Sequence, residues 1–542
     1  MRTRPSPRTR GLRRAHRIRG TRPRATARLT ATLLGAAALL VSACSPGNPA
    51  APSGGTVQAA LAALPRTTPA ALTPYYGQRL RWRECGVPGF ECATMKAPLD
   101  YASPDAGTVR LAVARKKATG TAGRLGSLLV NPGGPGGSAV DYLQQYAALG
   151  YPARIRARYD MVAMDPRGVA RSEPVKCLDG RQMDAYTQTD LTPDDQRERD
   201  ALVAADRRFA ESCGAHSARL LRHVSTVEAA RDMDILRSVL GDRRLNYVGA
   251  SYGTFLGATY AGLFPERVGR MVLDGAMDPS LDARRMNLDQ TAGFETAFQA
   301  FARDCVRRSD CPLGGKGTTP ARVGDRLRAF FRELDARPLP SGDADGRRLG
   351  ESLATTGVIA SMYDEGTWGQ LREALTSAIK EHNGAGLLSL ADTYYERDGD
   401  GHYSNLMMAN AAVNCLDLPS AFSGPEEVEK ALPAFEKASP VFGPGLAWAS
   451  LNCAYWPVRA TGEPHRIEAK GAAPIVVVGT VRDPATPYRW ARSLAGQLSS
   501  ARLLTYAGDG HTAYGRGSGC VDTAIDTYLL RGTPPPPGKR CS

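Results

Sequence analysis

The sequence predicts an α/β fold, with a mostly parallel central sheet, helices on both faces, and a helical cap inserted before the last strands. Three observations carry this. Short apolar, β-rich runs alternate with stretches of helical spacing between residues 126 and 274, the grammar of a parallel sheet covered on both faces. Residues 280–465 then lack β-rich runs between turns and carry helical candidates instead. From residue 473 the strand–helix alternation returns.

Taken in order, β regions are expected around residues 80–98 and 108–116. A short apolar strand over 126–130 runs into the Gly-rich 131–137 segment, Asn-Pro-Gly-Gly-Pro-Gly-Gly. The next strand, 159–164, ends in Asp165-Pro166-Arg167-Gly168. Residues 227–240 have helical spacing at Val227, Ala230, Met233, Leu236 and Leu240. Strand 245–248, a small-residue helix over 254–263 and strand 270–274 follow. Within the insert, helices are expected over 291–305, 323–334, 368–381 and 426–437, with Phe294, Phe298 and Phe301 sharing one face as core. Residues 474–478 and 501–505 read as buried strands. The implied organisation is an export signal over 1–43, a lipid-anchored tether over 44–65, a first core part over 66–279, the cap over 280–465, and a second core part over 466–542.

The formal charge of +15 first suggests a nucleic-acid partner. Residues 1–43 hold eleven arginines and no acid, so only +4 remains without them. The basic balance therefore belongs to a leader, and no nucleic-acid face is expected. An apolar stretch over 29–41 follows the arginines; it is too short for a good spanning helix and fits an export signal. It ends in Val41-Ser42-Ala43-Cys44, which resembles a bacterial lipobox. Cys44 is the expected lipidation site, placing the protein at the outer face of the membrane or, unanchored, in the secreted fraction.

The other ten cysteines form an even set with no C-x-x-C metal spacing, and no metal or organic cofactor is expected. Sequential pairing is the simplest framework for an exported chain: Cys85–Cys92, Cys177–Cys213, Cys305–Cys311, Cys415–Cys453 and Cys520–Cys541. Connectivity stays open at this level, as does oligomeric state.

The chemistry is expected at Gly249-Ala250-Ser251-Tyr252-Gly253. A G-x-S-x-G between a strand and a helix is the setting of a nucleophile elbow, with the serine hydroxyl exposed at the turn. The serine needs a base, and an acid to orient that base. Of seven histidines, only His511, in Gly508-Asp509-Gly510-His511, follows a late apolar strand. Asp483 follows the preceding strand, and Asp509 is the rival, too near His511 in sequence to reach the far ring nitrogen. Thr486 either ties down the acid loop or caps a helix. Oxyanion donors are expected from the N–H of Tyr252, which opens the helix, and from Gly134 in the Gly-rich loop. Arg167 is read as a structural pin.

The 131–136 loop, Asp165-Pro-Arg-Gly168, the G-x-S-x-G, Asp483-Pro-Ala-Thr-Pro487 and Gly510-His511 together resemble the α/β-hydrolase fold serine peptidases of the proline iminopeptidase class, and within it the secreted bacterial tripeptidyl aminopeptidases. The likeness runs from about residue 75 to the end and is weakest in the cap. It implies an exopeptidase removing short peptides from free N-termini, with Ser251 as nucleophile, Asp483 as acid and His511 as base. One departure is Pro132, where relatives often carry histidine. An aminopeptidase must also recognise a protonated amine, for which Asp417, Glu365 and Asp364 are the candidate carboxylates. An esterase or lipase of the same fold is the first alternative. A non-catalytic surface-binding lipoprotein is the second.

Overall fold

The computed structural model describes residues 58–120 and 123–542. The leader and Cys44 lie outside the described residues. The expected tether is docked at its far end: Leu61 N donates to Arg466 O at 2.8 Å and Leu64 N to Leu263 O at 2.9 Å.

One ten-stranded sheet organises the chain: β1 (Arg83–Glu84), β2 (Glu91–Pro98), β3 (Thr108–Lys116), β4 (Ser127–Asn131), β5 (Asp160–Met164), β6 (Leu245–Ala250), β7 (Val268–Asp274), β8 (Ile475–Arg482), β9 (Ala501–Asp509) and β10 (Arg540–Cys541). Their spatial order is β1-β2-β3-β5-β4-β6-β7-β8-β9-β10. Pairing is antiparallel from β1 to β5 and parallel from β5 to β10. The parallel strands are apolar at consecutive positions because both faces are covered. Met271 and Leu273 of β7 join one core cluster while Val272 joins the other; Ile475 and Val477 of β8 alternate with Val476 and Val478 in the same way.

The longer helices are α1 (Gln196–Leu221), α2 (Thr226–Val239), α3 (Tyr252–Leu263), α4 (Ala283–Cys305), α5 (Pro320–Ala336), α6 (Glu351–Met362), α7 (Trp368–Glu381), α8 (Ala385–Tyr395), α9 (Leu406–Asp417), α10 (Pro425–Ala438), α11 (Gly443–Ala449), α12 (Tyr488–Gln497) and α13 (Gly519–Arg531). Residues of α2, α3 and α12 pack on one face of the sheet and residues of α13 on the other. Helix α3 is buried on every side, so its run of small residues lets it lie close to the strands.

Between β7 and β8 the described chain adds no strand to the sheet. Helices α4 to α8 build a second core around Phe294, Phe298, Phe301, Leu327 and Leu353. Helix α9 differs: Met408, Ala411, Ala412 and Leu416 belong to the core against the sheet. The insert is therefore tied into the body through α9. Five disulfides close in sequential order, Cys85–Cys92, Cys177–Cys213, Cys305–Cys311, Cys415–Cys453 and Cys520–Cys541. No helix of the described residues is long and apolar enough to cross a membrane.

Candidate active site

The site forms where the parallel strands end. Ser251 follows β6 directly and opens α3, with φ 56° and ψ −126°. That is a sparsely populated conformation for a residue with a Cβ, and it projects the side chain out of the turn. Neighbours hold it: Ser251 N donates to Asp274 O at 2.9 Å, and Thr254 Oγ1 donates to Ser251 O at 2.6 Å. The turn admits no side chain at Gly249, where a Cβ would stand 2.4 Å from the Gly253 carbonyl oxygen.

The 131–137 loop leaves β4, which pairs with β6, and so arrives beside the elbow. A Cβ at Gly133 would lie 2.5 Å from Ala250 O and 2.8 Å from Tyr252 N. Asn131 Oδ1 accepts the Gly133 N–H at 2.9 Å, while Gly134 lines the cavity that Ser251 also lines. The Tyr252 amide, in the first turn of α3, has no intrahelical acceptor. Helix α9 braces this loop from the cap side: Asn410 Nδ2 donates to Pro135 O at 3.1 Å.

His511 follows β9. Its Nδ1 lies 2.8 Å and 3.0 Å from the two Asp483 carboxylate oxygens. A carboxylate only accepts, so Nδ1 carries the proton in the neutral ring and Nε2 is left as the basic nitrogen. Nε2 is buried and has no hydrogen-bond partner in the fold. Its bond to the serine is thus open in the free protein, a common state for such pairs before substrate binds. Ser251 and His511 flank the same strand end: Asp274 O receives the Ser251 amide, and the His511 Cε1 is 3.2 Å from where a Cβ on Gly275 would stand.

The acid is fixed in turn. Asp483 accepts from Ala485 N at 3.0 Å, Thr486 N at 2.8 Å and Thr512 N at 3.2 Å, and its side chain is fully enclosed. Thr486 Oγ1 stands 3.4 Å from His511 Nδ1. Asp509 is committed elsewhere, to the Arg482 guanidinium, with both contacts at 2.5 Å.

Two cavities open at this end of the sheet. One, about 270 Å³, is lined by Ser251, Gly134, Gln290, Asn410, Asn414 and Trp490 among others, and by no Asp, Glu, Lys, Arg or His. The other, about 760 Å³, is lined by His511, Tyr142, Tyr146, Tyr363, Glu365 and Arg516 among others. Tyr363 borders both.

Residues 126–357 match the family model described as alpha/beta hydrolase fold, and residues 439–541 that described as TAP-like protein. Serine protease Hip1 of Mycobacterium tuberculosis is 38% identical over 490 residues, covering 86% of this chain and 92% of the relative. Tripeptidyl aminopeptidase of Streptomyces coelicolor is 32% identical over 472 residues, covering 83% and 84%. The chain belongs to the tripeptidyl aminopeptidase-like family of α/β hydrolases. It is a serine peptidase of that fold. Carboxylesterase B of M. tuberculosis is a further relative, 37% identical over 456 residues, with 83% and 86% covered.

Of the carboxylates expected to bind the substrate amine, Asp364 and Glu365 line the larger cavity with His511, while Asp417 departs from the sequence reading. Asp417 does not line the Ser251 cavity. It is buried, and its two oxygens accept Thr226 N at 2.8 Å and Thr226 Oγ1 at 2.5 Å at the start of α2. Burial pushes its carboxyl up to about 7. A lone acid on a cap helix gives no sign in sequence of which way it turns. Glu365 lines the larger cavity, and its partial burial and neighbouring Asp509 raise its carboxyl. Asp364 pairs with Arg516 at 2.7 Å.

Sequence reasoning missed the supports of the histidine loop. The Asp274 carboxylate, at the end of β7, accepts Ala513 N at 3.0 Å and Tyr514 N at 2.8 Å. Burial raises its carboxyl, while those amide bonds and nearby His511 oppose the rise. His511 N donates to Tyr363 O at 2.8 Å, and the Tyr363 ring stands edge-on to the imidazole at 5.4 Å. An acid ending a strand was the available signal for Asp274. Arg167 is enclosed, bonded to Asp232 at 2.7 Å through two nitrogens and to the carbonyls of Leu99, His223 and Pro98. Among the described residues, three acid or acid–histidine groups lie close enough to share a cation, and none of their residues lines either cavity.

Proposed function

We propose that the protein is an exported serine exopeptidase that releases short peptides, tripeptides by family likeness, from free N-termini. The observation that carries this reading is the His511 imidazole, oriented by Asp483 at 2.8 Å, with a buried and unengaged Nε2, beside the strand end to which the Ser251 amide bonds. In the proposed cycle, Ser251 Oγ gives its proton to Nε2 and attacks the scissile carbonyl carbon. The resulting oxyanion accepts from the amides of Tyr252 and Gly134. Collapse breaks the C–N bond as Nε2–H protonates the leaving amine, leaving an acyl-Ser251 ester. Water then adds, giving its proton to Nε2, and the ester C–O bond breaks as Ser251 recovers its hydrogen.

Support for chain-end cleavage comes from the cavity of about 270 Å³ beside Ser251, roofed by insert residues, and from the relative named tripeptidyl aminopeptidase. An esterase is the second reading. It is favoured by the absence of charged side chains from that cavity's lining and by the relative named Carboxylesterase B. Paired assays of a tripeptide amide, its N-acetylated form and a short-chain ester separate the two. The exopeptidase reading expects cleavage of the free-amine peptide and little of the blocked one. Ester turnover with neither peptide cleaved would replace it. For location, the lipobox-like Cys44 and the five disulfides suggest an anchored, oxidised, extracytoplasmic protein. Palmitate labelling lost on Cys44→Ala is the expected result.

A further inference from the structure

A peptidase that reads free N-termini needs a partner for an ammonium group, and the cavity at Ser251 offers no carboxylate. It offers five carboxamides: Asn287, Gln290, Asn410, Asn414 and Asn452. The orientation of three of them is fixed by chemistry. Gln290 Nε2 donates to Ala485 O at 2.8 Å, and Asn410 Nδ2 to Pro135 O at 3.1 Å. A backbone carbonyl can only accept, so each amide must present its NH2 to that carbonyl and turn its oxygen the other way. The Asn410 oxygen then takes the NH2 of Asn414, one helical turn on, at 2.9 Å. Each NH2 uses one of its two N–H groups in this way, and the oxygens of Gln290 and Asn414 are left without a protein donor among the described residues.

The geometry points to these two carboxamide oxygens as the acceptors of the substrate's N-terminal ammonium, on a surface that selects free amines without a charged residue. This rests on the exopeptidase reading and names its specificity determinants. An ammonium carries three donors and no acceptor, which suits a wall of oxygens. An acylated N-terminus has lost the charge and keeps a single N–H, which can serve only one of the two oxygens, so the other is left without a donor. Asp417, on the same helix as Asn414, is not needed: Thr226 occupies it.

The test compares kcat and KM for a tripeptide amide and its N-acetylated form. Wild-type protein, a Gln290→Met/Asn414→Leu double variant and Asn414→Asp are each normalised by active-site titration with a fluorophosphonate, so that unfolded protein is not counted. Hydrogen bonds to a charged group are strong enough for a change of about tenfold or more. The double variant should lose at least about tenfold in its preference for the free peptide, carried in KM. Asn414→Asp, which supplies a charge at the same place, should keep or raise the preference. If wild-type protein prefers the free amine and the double variant keeps that preference, the carboxamide assignment is overturned while the exopeptidase reading stands. If wild-type protein cleaves both peptides alike, both fall.

Discussion

Ser251 is held at φ 56°, where a Cβ is strained. Ser251→Gly should therefore abolish turnover and also raise stability, by about 1 kcal/mol, readable as a higher melting temperature. Asp483→Asn should lower kcat by about 10³–10⁴-fold with the fold intact, because it removes the acceptor that holds the Nδ1 proton. Asp417 makes a prediction about pH. Its carboxyl is raised to about 7 in the fold by burial, against an ordinary value near 3.8. Below about pH 4 both folded and unfolded chains hold the proton, and this contribution to stability is fully present. Between about pH 4 and 7 only the folded chain still holds it, so stability is lost as pH rises. Relative to wild type, Asp417→Asn should gain stability across that window and level off above it, by at most about 4 kcal/mol. A pH-independent difference between the two melting curves would contradict the assigned burial.

At the scale of elements, the histidine loop is gripped from two sides. Asp274, from the sheet, takes two of its amides. The insert supplies Tyr363 O to His511 N, and Asp364 to Arg516, whose Nη1 donates to His511 O at 3.1 Å. Arg516→Ala should lower kcat several-fold and change stability by less than about 1 kcal/mol, since the pair is partly exposed. The same loss should appear in part at high salt. Strands of this kind were readable because three or four consecutive apolar residues ending in Gly, Asp or Asn leave few alternatives: β4, β7 and β8 have that form, and β6 departs from it only at Asn246. Helices α7 and α10 were readable from spacing. Helices α6 and α9 were not, because small and apolar residues surround them and blur the period. The carboxamides were missed for a different reason. Asn and Gln carry no charge to attract notice, although Asn410 and Asn414 stand at the i, i+4 spacing that puts them on one helix face.

At the scale of the molecule, the insert has its own core and reaches the body through α9, the histidine loop and the cavity between them. Cys415 is buried near the end of α9, and Cys453 lines the cavity. Replacing both by serine frees a loop with a sequence separation of 38, which should cost about 3–4 kcal/mol by chemical denaturation. It should also raise KM more than it lowers kcat, because the bridge supports the cavity wall and not the imidazole. That no strand joins the sheet between β7 and β8 was legible from the loss of β-rich runs after residue 279. What the sequence could not convey was that α9 faces the sheet, since a contact between distant segments leaves no local pattern.

The account depends above all on Ser251 being the atom that is acylated. Peptide mapping by mass spectrometry after reaction with a fluorophosphonate tests this most directly. The prediction is one adduct per chain, on Ser251, greatly slowed in His511→Ala and absent in Ser251→Ala. An adduct at any other serine, or unchanged labelling and turnover in Ser251→Ala, would contradict it.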